Sequence, residues 1–426
     1  MVLPVLSSKK PLKGKRVLVR VDWNVPLSGA FSGENSLKLE RSFPLLIDLL
    51  KRDAVVIVMT HLGRPKKHEV KFSTRKLLPL VRSQSDIALH WLGAALDSTD
   101  GLVEAQKIIS EAHPGTGFLL ENVRFLKGEE ENEAKVAAAL ASLGDIFIND
   151  AFAVCHRAHA SVVGVAKRLP AYAGPALMNE IEGLEPLIKK PKSPFYAFVG
   201  GAKLSTKLEL LERLVKLADR VYIGGAMAHP FFVAQKKAIG KSLYDPKDLP
   251  LARKFLKHNN LRLPSDVAVA TKIADGVKVR VAIVGKIKLN ERIGDIGPAT
   301  MMSWSDDIKK AKTLLWNGPF GVIEVGTFVH GSFVLAKAIA AQSRGSCYGV
   351  AGGGDTLPLV LEAGVSDRLD HVSTGGGAML EYIAMKGKLP GIEALRKRPR
   401  DASFKTEIKK SKWRIKYRTL CLLVQK

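Results

Sequence analysis

Short apolar runs recur along this chain, and each breaks abruptly into polar residues or glycine. Four lie in the first part: Arg16–Val21 (RVLVRV) ends in Asp22-Trp23-Asn24, and Val55–Thr60 (VVIVMT) ends in His61-Leu62-Gly63-Arg64. Phe118–Leu120 leads into Glu121-Asn122-Val123-Arg124, and Asp145–Asn149 (DIFIN) into Asp150-Ala151-Phe152 and then His156-Arg157-Ala158-His159. Helical patterns stand between them, over Ser42–Leu50 and Glu129–Leu143. Strands alternating with helices predict a parallel sheet, which gathers the C-terminal ends of its strands on one edge. Open sheets of this kind take ligands at that edge. Asp22, Asn24, His61, Arg64, Arg124 and Arg157 are therefore expected to converge, with Arg41 joining from the start of a helix rather than from a strand end. Arginine forks pair with phosphate and carboxylate, so the expected pocket is one for an anion. His156 and His159 stand three apart but lack a third metal ligand.

The second half repeats a different module, in which the strand ends in glycines. Phe195–Val199 runs into Gly200-Gly201-Ala202-Lys203 with Lys207 just beyond, and Val221–Ile223 into Gly224-Gly225. Val267–Ala270 reads as a further strand, and Thr313–Leu315 leads into Trp316-Asn317-Gly318-Pro319. Tyr348–Ala351 precedes Gly352-Gly353-Gly354-Asp355 and a helical pattern from Leu357, and His371-Val372 precedes Ser373-Thr374-Gly375-Gly376-Gly377-Ala378. Glycines let backbone approach a ligand closely and aim several N–H groups at one point, which suits phosphate. Asp355 would stand ready for the hard cation that travels with a nucleotide. A tight turn before a helix is the alternative for that loop taken alone.

Between these halves, Gly174–Lys190 places Leu177, Ile181, Leu184, Leu187 and Ile188 on one helical face, followed by Lys189-Lys190-Pro191-Lys192-Ser193-Pro194. A chain of 426 residues exceeds what one core usually serves. The expected organisation is an N-terminal domain over 1–173, a connecting helix and hinge over 174–192, and a C-terminal domain over 193–395. A basic extension occupies 396–426. The fold class expected is α/β, with two Rossmann-like lobes, each a parallel sheet flanked by helices.

The formal net charge is +25, and residues 396–426 carry 12 Lys/Arg against two acids. A basic chain favours anionic partners such as phosphorylated metabolites, nucleotides or nucleic acid. Cys155, Cys347 and Cys421 are odd in number and irregularly spaced, so neither a disulfide framework nor a zinc site is indicated. No run reaches the length of a membrane span and no signal pattern opens the chain, so a cytoplasmic location is expected.

Taken together, the blocks Arg20–Pro26 (RVDWNVP), His61–Pro65 (HLGRP), Leu119–Phe125 (LLENVRF), His156–His159 (HRAH), Gly200–Lys203 (GGAK), Trp316–Pro319 (WNGP), Gly352–Asp355 (GGGD) and Ser373–Ala378 (STGGGA) resemble phosphoglycerate kinase. The match runs in order from about Leu12 to Leu395. Trp23 stands where that family usually has phenylalanine, and Val284–Arg292 (VGKIKLNER) is basic where the family is usually acidic or carries a tryptophan.

The resemblance implies reversible phosphoryl transfer between 1,3-bisphosphoglycerate and MgADP, giving 3-phosphoglycerate and MgATP, in glycolysis and gluconeogenesis. It implies that Asp22, Asn24, Arg41, His61, Arg64, Arg124 and Arg157 hold 3-phosphoglycerate. It further implies that Lys207, Gly294, Glu324, Gly352, Gly353, Gly354 and Asp355 meet ATP or ADP, Asp355 through Mg²⁺. Arg41, Lys203, Lys207, Gly353 and Gly376 would surround the phosphoryl group in flight. A monomer with no membrane partner is expected. The alternative is a basic nucleic-acid-binding protein on a kinase scaffold, acting through the tail after Leu395. A catalytically silent relative would lack Arg41, Lys207 or Asp355, and all three are present.

Overall fold

Val55–Met59 is apolar at every position, and a strand of that kind has to be covered on both faces. In the computed structural model, which describes residues 3–27 and 33–396, it is. The first six strands are β1 (Arg16–Arg20), β2 (Val55–Met59), β3 (His90–Leu92), β4 (Gly117–Leu120), β5 (Ile146–Asn149) and β6 (Ala171–Ala173). They form one parallel sheet in the order β3-β4-β2-β1-β5-β6. Val17, Val19, Val56 and Val58 join the apolar cluster on one face, and Leu18, Ile57 and Met59 the cluster on the other. Order reverses between β1 and β5, so a crevice opens beyond their C-terminal ends.

Next come β7 (Phe195–Val199), β8 (Arg220–Ile223) and β9 (Leu261–Arg262), then β10 (Asp266–Ala270), β11 (Arg280–Ile283) and β12 (Arg292–Ile296), and finally β13 (Thr313–Asn317), β14 (Tyr348–Gly352) and β15 (His371–Ser373). A second six-stranded parallel sheet runs β15-β14-β13-β7-β8-β9, with its reversal between β7 and β13. One sequence expectation changes here. Val267–Ala270 is a strand, but it lies at the centre of a separate three-stranded antiparallel sheet, β11-β10-β12. Its partners were hidden because β11 and β12 each begin with arginine and carry weak apolar patterns.

The connecting helix, Pro175–Lys189, buries Leu177, Ile181, Leu184, Leu187 and Ile188, as the periodicity predicts. These join one continuous apolar cluster that includes Phe147 of the first sheet and Phe195 and Val199 of the second. At about 1.5–3 kcal/mol for each fully buried aliphatic side chain, this face is a main tie between the lobes. A second tie comes from the C-terminal end. The helix Pro390–Arg396 returns to the first lobe, where the Gly391 N–H donates to the Cys155 carbonyl at 2.9 Å. A Cβ on Gly391 would stand 2.9 Å from Cys155 Cα, so only glycine permits that approach.

The helix expected over Glu129–Leu143 is shorter, Ala134–Ser142. Gly128 and Asn132 adopt positive φ (+88° and +57°), which interrupts a helix, and the Glu129 side chain turns inward. Of the basic extension 396–426, only Arg396 falls within the described residues. Among those residues, no helix is long and apolar enough to cross a membrane.

Candidate active site

The loops beyond β1, β2, β4 and β5 are tied to one another before any ligand is considered. Asn24 Oδ1 accepts the Gly63 N–H at 2.8 Å, which links the loops after β1 and β2. Asn122 accepts from the Leu62 N–H and donates to the Leu62 and Phe72 carbonyls, which links the loops after β2 and β4. Trp23 is fully buried, its indole N–H donating to Ser42 Oγ at 2.8 Å and its backbone N–H to Thr60 Oγ1 at 3.1 Å. The larger ring at 23 is thus accommodated with its one polar atom satisfied.

These ties bring His61, Arg64, Arg124 and Arg157 into one electrostatic field, together with His159. Burial lowers the Arg124 guanidinium, and Glu130 opposes this from 2.6 Å. Glu130 also lies 3.8 Å from Arg157, so one exposed carboxylate is shared by two arginines. Arg64 is exposed. His61 is buried and well below its ordinary range, because burial and the surrounding Arg20, Arg124 and Arg157 all oppose a positive charge on it. Burial pushes the Asp22 carboxyl up, against Lys38 and Arg20.

Arg41 is placed differently. Its guanidinium bonds Glu180 Oε1 of the connecting helix at 2.5 Å, Thr374 Oγ1 at 2.7 Å and the Val372 carbonyl at 2.7 Å. It therefore reaches from the first lobe onto the C-terminal end of β15. A small cavity lined by Asp22, Lys38, Arg41, Asp150, Glu180 and Thr374 lies at this junction. Glu180 also bonds His371 Nε2 at 3.0 Å and accepts the Thr374 N–H at 2.9 Å. Burial alone would raise the Glu180 carboxyl, but His371 and Arg41 hold it well below the usual carboxylate range.

At the reversal point of the second sheet stands Lys207. Its ammonium donates to the Gly200 carbonyl at 2.7 Å, to Asn317 Oδ1 at 2.5 Å and to the Asn317 carbonyl at 3.4 Å. Burial lowers it to about 8, with Asp355 acting in the other direction. The same Asn317 donates through Nδ2 to the Gly352 carbonyl at 2.7 Å, and the Gly318 N–H donates to Thr356 Oγ1 at 2.6 Å. The glycine loop after β14 is thus bonded to the end of β13.

Gly353 has φ +117°, and a Cβ there would lie 2.3 Å from Asn317 Nδ2. Around Gly354 and Gly376 a Cβ would meet nothing within 4 Å, so both face open space. Asp355 is exposed, and its side chain makes no cap bond to the helix Thr356–Glu362 that follows. Lys203 and Glu324 are exposed as well. Gly294 is buried in β12, its carbonyl accepts the Val322 N–H at 2.9 Å, and a Cβ would strike the Phe328 ring at 2.2 Å. Close packing by Phe328 accounts for glycine at this position.

An exposed carboxylate in the field of a half-buried lysine fits a magnesium ion that binds through phosphates and one protein ligand. No cluster of three or more His, Cys, Asp or Glu able to hold a metal alone occurs among the described residues.

Sequence reasoning missed Arg20, Glu129, Glu180 and His371. Two of them stood out locally without revealing their partners: Arg20 interrupts an apolar strand, and Glu180 falls beside the apolar face of the connecting helix.

A family model described as phosphoglycerate kinase matches residues 8–388. A phosphoglycerate kinase of Rhizorhabdus wittichii is 40% identical over 405 residues, 93% of this chain and 100% of its own length. A cytosolic phosphoglycerate kinase of Nicotiana tabacum is 40% identical over 390 residues, 90% of this chain and 96% of its own. The structure of phosphoglycerate kinase from Coxiella burnetii aligns with a TM-score of 0.79 at 37% identity, covering 93% of this chain and 100% of that one.

Proposed function

The chain belongs to the phosphoglycerate kinase family, and from that premise we propose how its own residues carry out the transfer of a phosphoryl group to and from a carboxyl group. The family is one of glycolytic kinases that use ATP and ADP. The acceptor, 3-phosphoglycerate, is held by Asp22, Asn24, His61, Arg64, Arg124 and Arg157, with Arg41 at the lobe junction. Lys207, Gly294, the Gly352–Gly354 amides, Glu324 and Asp355 take the nucleotide. Asp355 holds Mg²⁺, which when bound neutralises charge on the nucleotide phosphates.

In the direction that makes the acyl phosphate, the attacking oxygen belongs to a carboxylate that is already ionised, so no base is required. What remains is in-line positioning and stabilisation of a loose transition state by cations and backbone donors. Arg41, Lys203, Lys207 and the amides at Gly353 and Gly376 supply that stabilisation. The observation that carries this reading is the anchoring of Lys207 at the reversal point, where Gly200 and Asn317 hold its ammonium beside the glycine loop. The two ligand sites lie on different sheets, so the lobes close about the connecting helix to bring them together and exclude water.

The proposed division is 1–173, 174–192 and 193–395, with the final helix crossing back to the first lobe. A monomer in the cytoplasm is the proposed state, the location supported by the likeness to the cytosolic tobacco enzyme. The nucleic-acid alternative gains no support from the comparisons.

A coupled assay tests the proposal. The purified chain is given 3-phosphoglycerate and MgATP with glyceraldehyde-3-phosphate dehydrogenase and NADH, beside Lys207→Ala. Turnover that the substitution lowers by about 10²–10³-fold is expected. No turnover in a folded protein that binds both ligands would defeat the reading.

A further inference from the structure

Behind His61 lies a line of buried polar groups for which the transfer itself has no use. Arg20 is fully buried. Its Nη2 bonds His61 Nδ1 at 3.1 Å, its Nη1 donates to the Val21 carbonyl at 2.6 Å, and its Nε donates to Ser161 Oγ at 3.1 Å. Ser161, also fully buried, in turn donates to the Glu129 carboxylate twice, through its hydroxyl at 2.6 Å and through its backbone N–H at 2.9 Å, one bond to each oxygen. Glu129 is 1% exposed.

The directions of these bonds are fixed by chemistry. A guanidinium carries only donors, so the His61 nitrogen that faces it must present a lone pair. An imidazolium, or a neutral ring protonated on Nδ1, would set N–H against N–H. The ring proton of His61 is therefore on Nε2, and that nitrogen has no partner among the described residues. The serine hydroxyl gives its proton to Glu129, which leaves its lone pair for Arg20 Nε. The chain of bonds thus runs outward from Arg20 to a nitrogen on one side and to a carboxylate on the other.

We propose that Glu129 and Ser161 are positioning residues which, through Arg20, hold His61 as a neutral imidazole with its proton on Nε2, so that it offers the acid substrate a directed hydrogen bond rather than a charge. This rests on the placement of His61 in the acceptor site. The arrangement has a purpose in that site. Arg64, Arg124 and Arg157 already supply positive charge, and a further cation at His61 would repel them and Arg20 without improving geometry. Arg20 favours the charged form of Glu129 against the burial that raises it, and Ser161, bonded to both, fixes the angle of the guanidinium toward the ring. Arg20, Arg124, Arg157 and His159 are the titratable groups that face His61, and all of them disfavour its protonation.

The test uses the full chain with ¹⁵N-labelled histidine, the His61 signals being assigned from His61→Asn. Long-range ¹H–¹⁵N spectra from pH 5.5 to 8 without ligand are expected to show an unchanging Nε2–H ring for His61. A titration near the ordinary histidine range, or an Nδ1–H pattern, would overturn the proposal. Because no substrate is present, this result is independent of the acceptor-site reading. Addition of 3-phosphoglycerate should then move the Nε2 signal, and an Nε2–H ring that ignores the ligand would instead overturn the placement of His61. Ser161→Ala removes the link between carboxylate and guanidinium. It should raise KM for 3-phosphoglycerate about tenfold, change kcat less than twofold, and let the Nδ1–H pattern appear at His61. Glu129→Gln, whose amide can accept only one of the two bonds from Ser161, should act in the same direction. A folded Ser161→Ala protein with unaltered KM and unaltered His61 signals would refute the role.

Discussion

The edge of the first sheet presents side chains, whereas the edge of the second presents backbone and one half-buried lysine. His61, Arg64, Arg124 and Arg157 project from three different segments, and their positions depend on ties such as Asn24 to Gly63 and Asn122 to Leu62. Beyond the second sheet the glycines at 352, 353 and 354 follow one strand, and a single side chain, Asn317, bonds both Lys207 and the Gly352 carbonyl. The difference teaches which kind of substitution each edge should notice. The first should lose affinity one arginine at a time. The second should lose rate when Lys207 goes, and fit when a glycine gains a side chain.

The largest effect is expected at Lys207. Lys207→Ala removes a preorganised cation from a partly dry site, and kcat should fall about 10²–10³-fold with KM for 3-phosphoglycerate little changed. Arg124→Ala removes a hydrogen-bonded charge from the acceptor side, so KM for 3-phosphoglycerate should rise about 10- to 100-fold with a smaller loss in kcat. Steady-state kinetics with each substrate varied in turn distinguish the two. Matching kinetic signatures for the two variants would break the comparison.

A glycine substitution sharpens it. Gly353→Ala forces a Cβ to within 2.3 Å of Asn317 Nδ2 at a φ of +117°, whereas Gly354→Ala meets nothing within 4 Å. The first should destabilise the unliganded fold by about 1–3 kcal/mol and weaken nucleotide binding, and the second should leave the stability of the unliganded fold nearly unchanged. Thermal unfolding with and without MgADP reads both. Equal behaviour of the pair would mean that the loop is not held as tightly as its bond to Asn317 implies.

Both edges were legible in the sequence, because a strand that ends in glycine or arginine announces itself within a few residues. What holds the edges was less so. Arg20 sits in an apolar strand and its partner Ser161 is 141 positions away. Glu180 meets His371 across 191 positions, and Arg41 meets Thr374 across 333. A buried charge is decided by such distant partners, and no local pattern carries them. The helix that starts at Ala134 rather than Glu129 fails for the same reason. The Glu129 side chain is drawn inward by Ser161, 32 positions on, against its helical propensity. The antiparallel sheet escaped because the basic residues of β11 and β12 mask a two-residue period.

The smallest effect expected separates the lobes by pH. In the first lobe, burial raises Glu129 and Asp150 to about 7, and in the second it raises Asp295 to about 7. A carboxyl raised in the folded state binds its proton more tightly there than in the unfolded chain. Its contribution is therefore fully present below the ordinary carboxyl range and is lost as pH climbs from about 4 toward 7. Asp150 offers the cleanest handle. Its Oδ1 accepts the Ala176 N–H at 2.7 Å and the Leu177 N–H at 3.3 Å at the start of the connecting helix, while its buried Oδ2 has no partner among the described residues. Asp150→Asn keeps the accepting oxygen and cannot ionise. Relative to the variant, the parent chain should therefore lose stability between pH 5 and 7 by up to about 1.4 kcal/mol per pH unit, with little difference below pH 4. Urea unfolding at several pH values measures it. Asp295→Asn should remove a similar slope from the second lobe, where the Gly331 and Ile296 N–H groups are the donors. A parent chain whose difference from Asp150→Asn grew toward acid pH would show instead that Asp150 is ionised in the fold, and that the connecting helix starts on a charge.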